Sequence, residues 1–330
     1  MVVPVLRRWL ACLAFLVGLC PVFGAATYRI ATTPWMGWAF LDVADAKGFW
    51  REQGLAVELV NYSNVSYLDA QMARMVDFSC AMIGDAVWLH THCGPVRILM
   101  ETDWSLGGDK FFVRKGLTLA QLQGRPVGYY QNRYSLPIFL QQTLGGEFRH
   151  VLASPAAVFS PPDLVAQFNA GRLDLGVICD PYAQDLGPEA SVVCTSATRP
   201  GSVPEGLICF RDVFERMPAK DLQALIRGIR KAQIWMRDTG HAQELMAIVQ
   251  SRSFRDTPFR NLADMAAQMG NAPVHSTALM RRRNASGGGL EQFLGACRKF
   301  LVGFDPAGAH FRSRDLFDPA WTTRALAATP

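Results

Sequence analysis

Charge of either sign is scarce in this sequence. Only 18% of its residues are Asp, Glu, Lys or Arg, and the formal net charge is +5. The basic residues are scattered, apart from the triplet Arg281–Arg283 beside Gly287–Gly289, which we interpret as a solvated loop. Nucleic-acid binding needs a concentrated basic face, so this class is not predicted. With 50% apolar residues, the chain can instead bury a sizeable core, as one large or two moderate globular units do.

Long apolar runs are also missing. The eleven residues from Trp9 to Leu19 follow Arg7 and Arg8. This run is too short for a membrane span of roughly 20 residues, but it has the length of the apolar region of a secretory signal.

Small residues follow this run, and cleavage after Gly24 or Ala26 fits the preferences of a leader. We therefore predict a signal peptide over residues 1–26 and a periplasmic protein. Lipid anchoring at Cys20 is the less favoured alternative, because Leu19 is bulky where lipoprotein processing prefers a small residue.

Histidine is rare, and familiar catalytic motifs are absent. The one histidine and cysteine cluster is His90–Cys93, and positions 90 and 92 of a helix face different directions, which does not suit a metal site. No Gly-x-Ser-x-Gly elbow occurs, and Gly124–Gly128 lacks the lysine and the spacing of a phosphate-binding loop. The sequence therefore predicts no cofactor, no metal and no enzyme.

Cysteines are few, and their pairing stays open. Beyond the predicted signal they are Cys80, Cys93, Cys179, Cys194, Cys209 and Cys297. Export permits disulfides, with Cys80 and Cys93 as the candidates nearest in sequence. Cys179 and Cys209 lie in apolar, strand-like runs, which favours buried free thiols there.

A βαβ unit is predicted near the start of the mature chain. Tyr28–Ala31 reads as a strand, Thr33–Trp38 as an aromatic loop before an amphipathic helix, and Leu55–Val60 as the second strand. Ligands of such open sheets bind outside the carboxyl ends of the strands, where this loop lies. Trp35 and Trp38 therefore indicate a binding mouth, with a plug at the edge of the core as the alternative.

The same logic recurs along the chain. Asp77–Ile83 and Leu175–Cys179 read as buried strands, each followed by an aspartate that opens a loop, Asp85 and Asp180. Another strand leads into the polar run Gln131–Ser135, which precedes an apolar helix. Two such copies predict an α/β protein of two lobes around a shared cleft.

Several short sequence segments, in their order and spacing, together show a family resemblance. They are Trp35–Trp38, Ala46–Phe49, Glu52–Val57, Gly107–Asp109, Leu122–Gly128, Gly171–Asp174, Asp180–Tyr182 and Arg314–Pro319. Over roughly residues 28 to 325 the chain resembles the substrate-binding proteins of nitrate, sulfonate and taurine importers, a group that includes binders of thiamine-pyrimidine precursors.

This resemblance implies a two-lobed type II periplasmic-binding-protein fold with a helical C-terminal extension. We place the crossings between lobes near 115–117 and near 202–205, with a return strand at Leu207–Phe210. The expected division is lobe 1 over 27–116, lobe 2 over 117–203, and lobe 1 again over 204–330. In the last part, apolar stripes predict helices over 218–237 and 290–301.

The resemblance also implies a function without chemistry. We expect an exported, monomeric solute-binding protein whose lobes close on a small molecule and present it to an inner-membrane ABC permease. Two alternatives stay open: an enzyme of the same fold, of the thiamine-pyrimidine synthase type, and the binding module of a sensor system.

The candidate ligand-binding residues come from the predicted loops of both lobes. They are Trp35, Met36, Trp38, Asp85, Trp104, Ser105, Tyr130, Gln131, Asn132, Arg133, Tyr134, Ser135, Asp180 and Tyr182. The aromatic content favours an aromatic or heterocyclic solute, with an organosulfonate second. The simpler roles are helix caps for Asp85 and Asp180 and a surface ion pair for Arg133.

Overall fold

The computed structural model describes residues 27–62, 67–131 and 133–328. The predicted signal peptide over 1–26, the candidate lipid anchor Cys20 and the candidate site residue Asn132 lie outside the described residues. In the described part of the chain, no helix is both long and apolar enough to cross a membrane.

Over the described residues, ten strands form two separate sheets. They are β1 (Thr27–Thr32), β2 (Ala56–Asn61), β3 (Phe78–Met82), β4 (Val96–Trp104), β5 (Asp109–Arg114), β6 (Val127–Tyr129), β7 (Ala156–Val158), β8 (Leu175–Cys179), β9 (Ala190–Thr195) and β10 (Pro204–Phe210). The first sheet has the order β2-β1-β3-β10-β4 and the second the order β7-β6-β8-β5-β9. We call each sheet with its helices a lobe.

Each sheet mixes parallel and antiparallel pairs in the same way. In the first lobe β1 runs parallel to β2 and β3, and β10 lies antiparallel between β3 and β4. In the second lobe β6 runs parallel to β7 and β8, and β5 lies antiparallel between β8 and β9. In both, therefore, the parallel strands present their carboxyl ends at one edge of the sheet.

The first crossing between lobes lies earlier than the sequence suggested. It falls between the end of β4 at Trp104 and the start of β5 at Asp109, not near 115–117, because 109–114 pairs with β8 and β9 of the second sheet. The turn uses Gly107, whose φ of 114° favours glycine, and Gly108. The second crossing falls between Thr195 and Pro204, where β10 returns to the first sheet.

Helices cover both sheets. They are α1 (Ala39–Ala46), α2 (Tyr67–Met72), α3 (Ile83–His92), α4 (Leu119–Leu122), α5 (Ser135–Leu144), α6 (Phe148–Leu152), α7 (Pro161–Asn169), α8 (Arg211–Arg216), α9 (Ala219–Trp235), α10 (Ala242–Gln250), α11 (Leu262–Asn271), α12 (Thr277–Arg283), α13 (Gly289–Phe304), α14 (Ser313–Leu316) and α15 (Pro319–Ala327). Short 3-10 turns join several of them, including Met36–Trp38 before α1 and Tyr182–Asp185 after β8.

The C-terminal helices pack mainly on the first lobe. The predicted apolar stripes of α9 and α13 are buried, with Leu225 and Leu294 inaccessible to solvent. The indole N–H of Trp50 donates to the carbonyl of Leu225 at 3.1 Å, and a Cβ on Gly228 would lie 2.2 Å from that ring. The glycine thus lets α9 approach the first βαβ unit closely, which gives this lobe a broad apolar core.

The cysteines of the described residues are all free thiols. Cys80 is buried in β3 and Cys93 is exposed after α3, so these two do not form the disulfide considered from the sequence. Cys209 is buried, whereas Cys179, at the end of β8, is only half-buried.

Candidate functional site

A cavity of about 640 Å³ lies between the two lobes. Its lining from the first lobe is Thr33, Pro34, Trp35, Trp38, Tyr62, Tyr67, Asp69, Met82 and Glu205. Its lining from the second lobe is Tyr130, Gln131, Arg133, Val158, Phe159, Ser160, Pro161, Asp163, Gln167, Cys179 and Tyr182. Most of these residues lie at or just beyond the carboxyl ends of parallel strands, where open α/β sheets bind ligands.

The wall from the first lobe is aromatic. Trp35 precedes the 3-10 turn that follows β1, and Trp38 is the last residue of that turn. Trp38 packs edge-on against Tyr67, with ring centroids 5.1 Å apart. The indole nitrogen of Trp38 is buried and has no hydrogen-bond partner within the described residues. A buried N–H without a partner costs free energy, so this group is available to a ligand acceptor.

The wall from the second lobe combines rings with a helix terminus. The Tyr130 hydroxyl donates to Asp109 Oδ1 at 2.5 Å, which holds its ring at the cavity. Ser160 caps α7, since its hydroxyl accepts from the backbone N–H of Asp163 at 3.3 Å. Tyr182 begins the 3-10 turn after β8 and is also buried. The second wall therefore combines aromatic rings with polar groups.

Arg133 brings a positive charge to the lining, and an aromatic face holds that charge. Its guanidinium lies over the ring of Trp88, with its central carbon 4.0 Å from the centroid. Such a cation–π contact is worth about 0.5–1 kcal/mol where water has access. Arg133 therefore lies beside the cavity but is oriented by α3 of the first lobe, in place of the surface ion pair considered from the sequence.

Two buried carboxyl groups face each other at the base of the cavity. Glu205 of β10 and Asp103 of β4 are cross-strand partners, 3% and 0% exposed, and Glu205 reaches the cavity. Burial and the charge of Asp103 raise the pKa of Glu205 well above its usual range. Burial likewise raises the pKa of Asp103 to about 6. A raised pKa of this kind favours the protonated form of Glu205 in an empty cleft, and a nearby positive charge would favour the ionised form.

Six of the candidate residues from the sequence line the cavity. They are Trp35, Trp38, Tyr130, Gln131, Arg133 and Tyr182. They share a position directly after a parallel strand, and this position is the signal that the sequence carried.

Three further candidates from the first lobe lie away from the lining. Met36 is buried and faces a second cavity, of about 510 Å³, beside α9, α10 and α11. Trp104 packs edge-on against His275, with centroids 4.8 Å apart. Ser105 bonds to Ser196 at 2.7 Å and accepts from the backbone N–H of Asp109, so it fixes the first crossing.

Asp85 and Ser135 meet across the lobes instead of facing the cavity. The backbone N–H of Ser135 donates to Asp85 Oδ1, and the backbone N–H of Asp85 donates to the Ser135 hydroxyl, both at 3.0 Å. α3 of the first lobe and α5 of the second therefore cap each other's N-termini. This is the helix-cap role that the sequence offered for Asp85.

Tyr134 and Asp180 also make contacts between the lobes. The Tyr134 hydroxyl donates to Asp305 Oδ2 beyond α13. Asp180 accepts from Lys110 at 2.7 Å within its own lobe and from the side-chain amide of Asn271, in α11, at 2.8 Å. Both side chains are committed to structure in this conformation.

Sequence reasoning missed part of the lining. The residues are Thr33, Pro34, Tyr62, Tyr67, Asp69, Met82, Val158, Phe159, Ser160, Pro161, Asp163, Gln167, Cys179 and Glu205. Tyr62 and Phe159 each follow a parallel strand, so the same positional rule could have found them. Glu205 lies near the amino end of an antiparallel strand, and no local signal marks it.

The described residues contain no group of three or more His, Cys, Asp or Glu side chains placed to hold a metal ion.

Solved structures with the same architecture include several ligand-binding proteins. A ligand-binding component of an ABC-type import system from Staphylococcus aureus, solved with zinc bound, superposes with a TM-score of 0.66 and 13% identity, covering 91% of this chain and 98% of that one. The alkanesulfonate-binding protein SsuA of Xanthomonas axonopodis pv. citri, bound to MOPS, gives 0.63 and 14%, covering 91% and 97%. The periplasmic nitrate-binding protein NrtA of Synechocystis PCC 6803 gives 0.66 and 13%, covering 92% and 89%.

These likenesses and the two sheet orders define the class of structure: the chain has the type II periplasmic-binding-protein fold. No protein-family model matches the sequence, and no curated protein matches it. A zinc-bound protein, an alkanesulfonate-binding protein and a nitrate-binding protein thus share this fold, so the fold alone does not determine the ligand.

Proposed function

We propose that this protein is an exported, periplasmic solute-binding protein that captures a small organic molecule between its lobes and delivers it to the permease of an ABC importer. The observation that carries the proposal is the cavity of about 640 Å³ lined by both lobes. Its size matches that of small-molecule sites, which are mostly apolar with a few placed polar groups. No chemical step is part of this function.

The contacts between lobes supply the mechanism. A ligand that touches both walls binds the closed arrangement better than the open one and shifts the population toward it by that difference in affinity. In the structure α3 and α5 cap each other through Asp85 and Ser135, outside the cavity. The permease would then distinguish loaded from empty protein by the relation of the lobes.

A thermal-shift screen with pyrimidines, organosulfonates, nitrate and small aromatic acids and amines tests this proposal. A solute at a hundredfold excess over its Kd stabilises the folded protein by about 2.7 kcal/mol, so at least one class should raise Tm.

Trp38→Leu locates the binding. We expect it to weaken affinity for the stabilising solute by roughly tenfold or more, because a buried aromatic wall is lost. Trp321→Leu is the matched control, since Trp321 packs against Phe214 away from the cavity. A screen without any stabilising solute, or equal affinity in both variants, contradicts the proposal.

A further inference from the structure

We propose that the cleft selects a flat organic cation whose N–H groups donate to Glu205. This inference rests on the proposed solute-binding function and names the chemical class of its ligand.

The register of the first sheet determines which side chains lie next to Glu205. Glu205 lies opposite Asp103 on one side and Met82 on the other. Two carboxylates directly opposite each other would destabilise the sheet, which favours the protonated form of Glu205, and no cation among the described residues pairs with Glu205. The unfavourable placement is explained if Glu205 has a partner that comes from outside the chain.

The Glu205 side chain is buried and incompletely hydrogen-bonded. It is 97% buried, it reaches the cavity, and its Oε2 has no hydrogen-bond partner in the part of the chain that the structure describes. A buried acceptor left unpaired costs free energy. A ligand N–H placed at this oxygen recovers that free energy, and a charged donor recovers more.

The balance of charge around the cavity points the same way. The lining carries the carboxyl groups of Asp69, Asp163 and Glu205 against the single guanidinium of Arg133, counted over the described residues. The Arg133 charge is already held over the ring of Trp88. An anionic solute would therefore meet more like charge than opposite charge, whereas a cation would meet the reverse.

The aromatic walls fix the shape of the ligand. Trp35, Trp38, Tyr67, Tyr130 and Tyr182 line the cavity, and their faces attract cations as well as flat rings. A metal ion has no comparable use for these rings, and the described residues offer no cluster of three ligating side chains. A planar organic cation satisfies both the rings and the carboxyl group.

Binding of such a cation should release a proton. Asp103 of β4 and Asp109 of β5 lie near Glu205 and raise its pKa. Glu205 in turn contributes to the raised pKa of the Cys179 thiol and of the Tyr67 hydroxyl. Because burial and Asp103 raise the pKa of Glu205, the empty cleft favours its protonated form, and a bound cation favours its ionised form. Affinity for a cation should therefore increase with pH through the range in which the empty cleft still holds the proton.

Four probes that share one ring test the inference by isothermal titration calorimetry: benzamidinium, benzamide, benzoate and benzenesulfonate. We expect benzamidinium to bind most tightly, benzamide next, and the two anions least. Glu205→Gln should weaken benzamidinium by roughly tenfold or more and leave benzamide nearly unchanged, because only the charge of the acceptor is removed.

Glu215→Gln is the matched control, since Glu215 is exposed on α8 beyond the opposite end of β10. If benzoate or benzenesulfonate binds more tightly than benzamidinium, and Trp38→Leu abolishes that binding, the inference is overturned while the proposed solute binding stands. Failure of all four rings to bind also overturns it. The proposed function fails separately, if no solute of any charge in the wider screen raises Tm. The order of the four probes on the unaltered protein decides the question even if Glu205→Gln does not fold.

Discussion

At the scale of single residues, neighbouring side chains in one loop take opposite roles. Trp35 and Trp38 face the cavity, whereas Met36 between them is buried toward α9 to α11. Arg133 lines the cavity, whereas Tyr134 turns to Asp305. The sequence predicts where such a loop lies because strand ends follow from periodicity. It does not predict which side chain turns inward, because that depends on the distant elements that pack behind the loop.

Glu205 shows the limit of sequence reasoning most clearly. Its place at the cavity depends on the return of the chain to the first sheet and on the pairing of β10 between β3 and β4. Both are contacts between residues far apart in sequence, and no local pattern encodes them. The same long-range pairing places Glu205 opposite Asp103, which contributes to the raised pKa of Glu205.

Asp85 gives a pH prediction at this scale. Burial raises its pKa from 3.8 to about 6, although the hydrogen bonds from Ser135 oppose the shift. Because the pKa is higher in the folded protein than in the unfolded chain, folding takes up a proton between these two values. The stability contribution of the protonated group is therefore full below about 3.8 and is lost as the pH rises toward and through about 6.

Urea unfolding over this pH range measures the effect. Asp85→Asn should show a smaller fall in the free energy of unfolding than the unaltered protein, since the amide does not titrate and its oxygen still accepts from Ser135. An identical pH profile in the two proteins would show that Asp85 does not titrate in this way.

At the scale of elements, the first βαβ unit follows the sequence closely. The predicted strands Tyr28–Ala31 and Leu55–Val60 correspond to β1 and β2, and the stripe over 218–237 corresponds to α9. The first crossing was placed too late because 109–114 is as apolar as a continuing strand of the first lobe. Composition does not distinguish a strand that joins one sheet from a strand that joins the other.

The head-to-head contact of α3 and α5 gives a prediction for elements. A Cβ on Gly84 would lie 2.7 Å from the Ser135 hydroxyl and 2.9 Å from the Ser135 backbone. Gly84→Ala should therefore separate the two helix ends and cost about 1–3 kcal/mol of stability, although alanine is the better helix former.

Gly295→Ala in α13 is the matched control, because no atom outside the backbone of its own helix lies within 4 Å of its Cβ position. We expect it to stabilise the protein by about 0.5–1 kcal/mol through helix propensity. Chemical denaturation of both variants checks the pair. Equal changes of stability would mean that the contact between α3 and α5 tolerates a methyl group.

At the scale of the whole molecule, side chains outside the cavity also join the two lobes. Arg260, before α11, donates to Gln184 in the 3-10 turn after β8 at 2.6 Å. Asn271 and Asp180 make a second such bond nearby. These contacts join the two lobes, so under the proposed function they should favour the arrangement in which the cavity walls approach each other and add to affinity without touching the solute.

Arg260→Ala tests this role. We expect severalfold weaker binding of the stabilising solute, because an exposed charged hydrogen bond contributes about 1 kcal/mol or less. Small-angle X-ray scattering should show the radius of gyration falling on binding in the unaltered protein, with more solute needed in the variant. Arg298→Ala, on the exposed face of α13, is the control. If Arg260→Ala binds the solute as tightly as the unaltered protein, the hydrogen bond between Arg260 and Gln184 does not contribute to closure.

The position of β10 has a consequence for how the molecule is made. Strands β5 to β9 follow one another without interruption, so the second sheet can assemble as soon as that stretch has emerged from a ribosome or an export channel. The first sheet must wait, with the edges of β3 and β4 unpaired, for a strand synthesised after the whole second lobe. An unpaired edge of this kind invites aggregation, so the nascent first lobe is the part that most needs a chaperone.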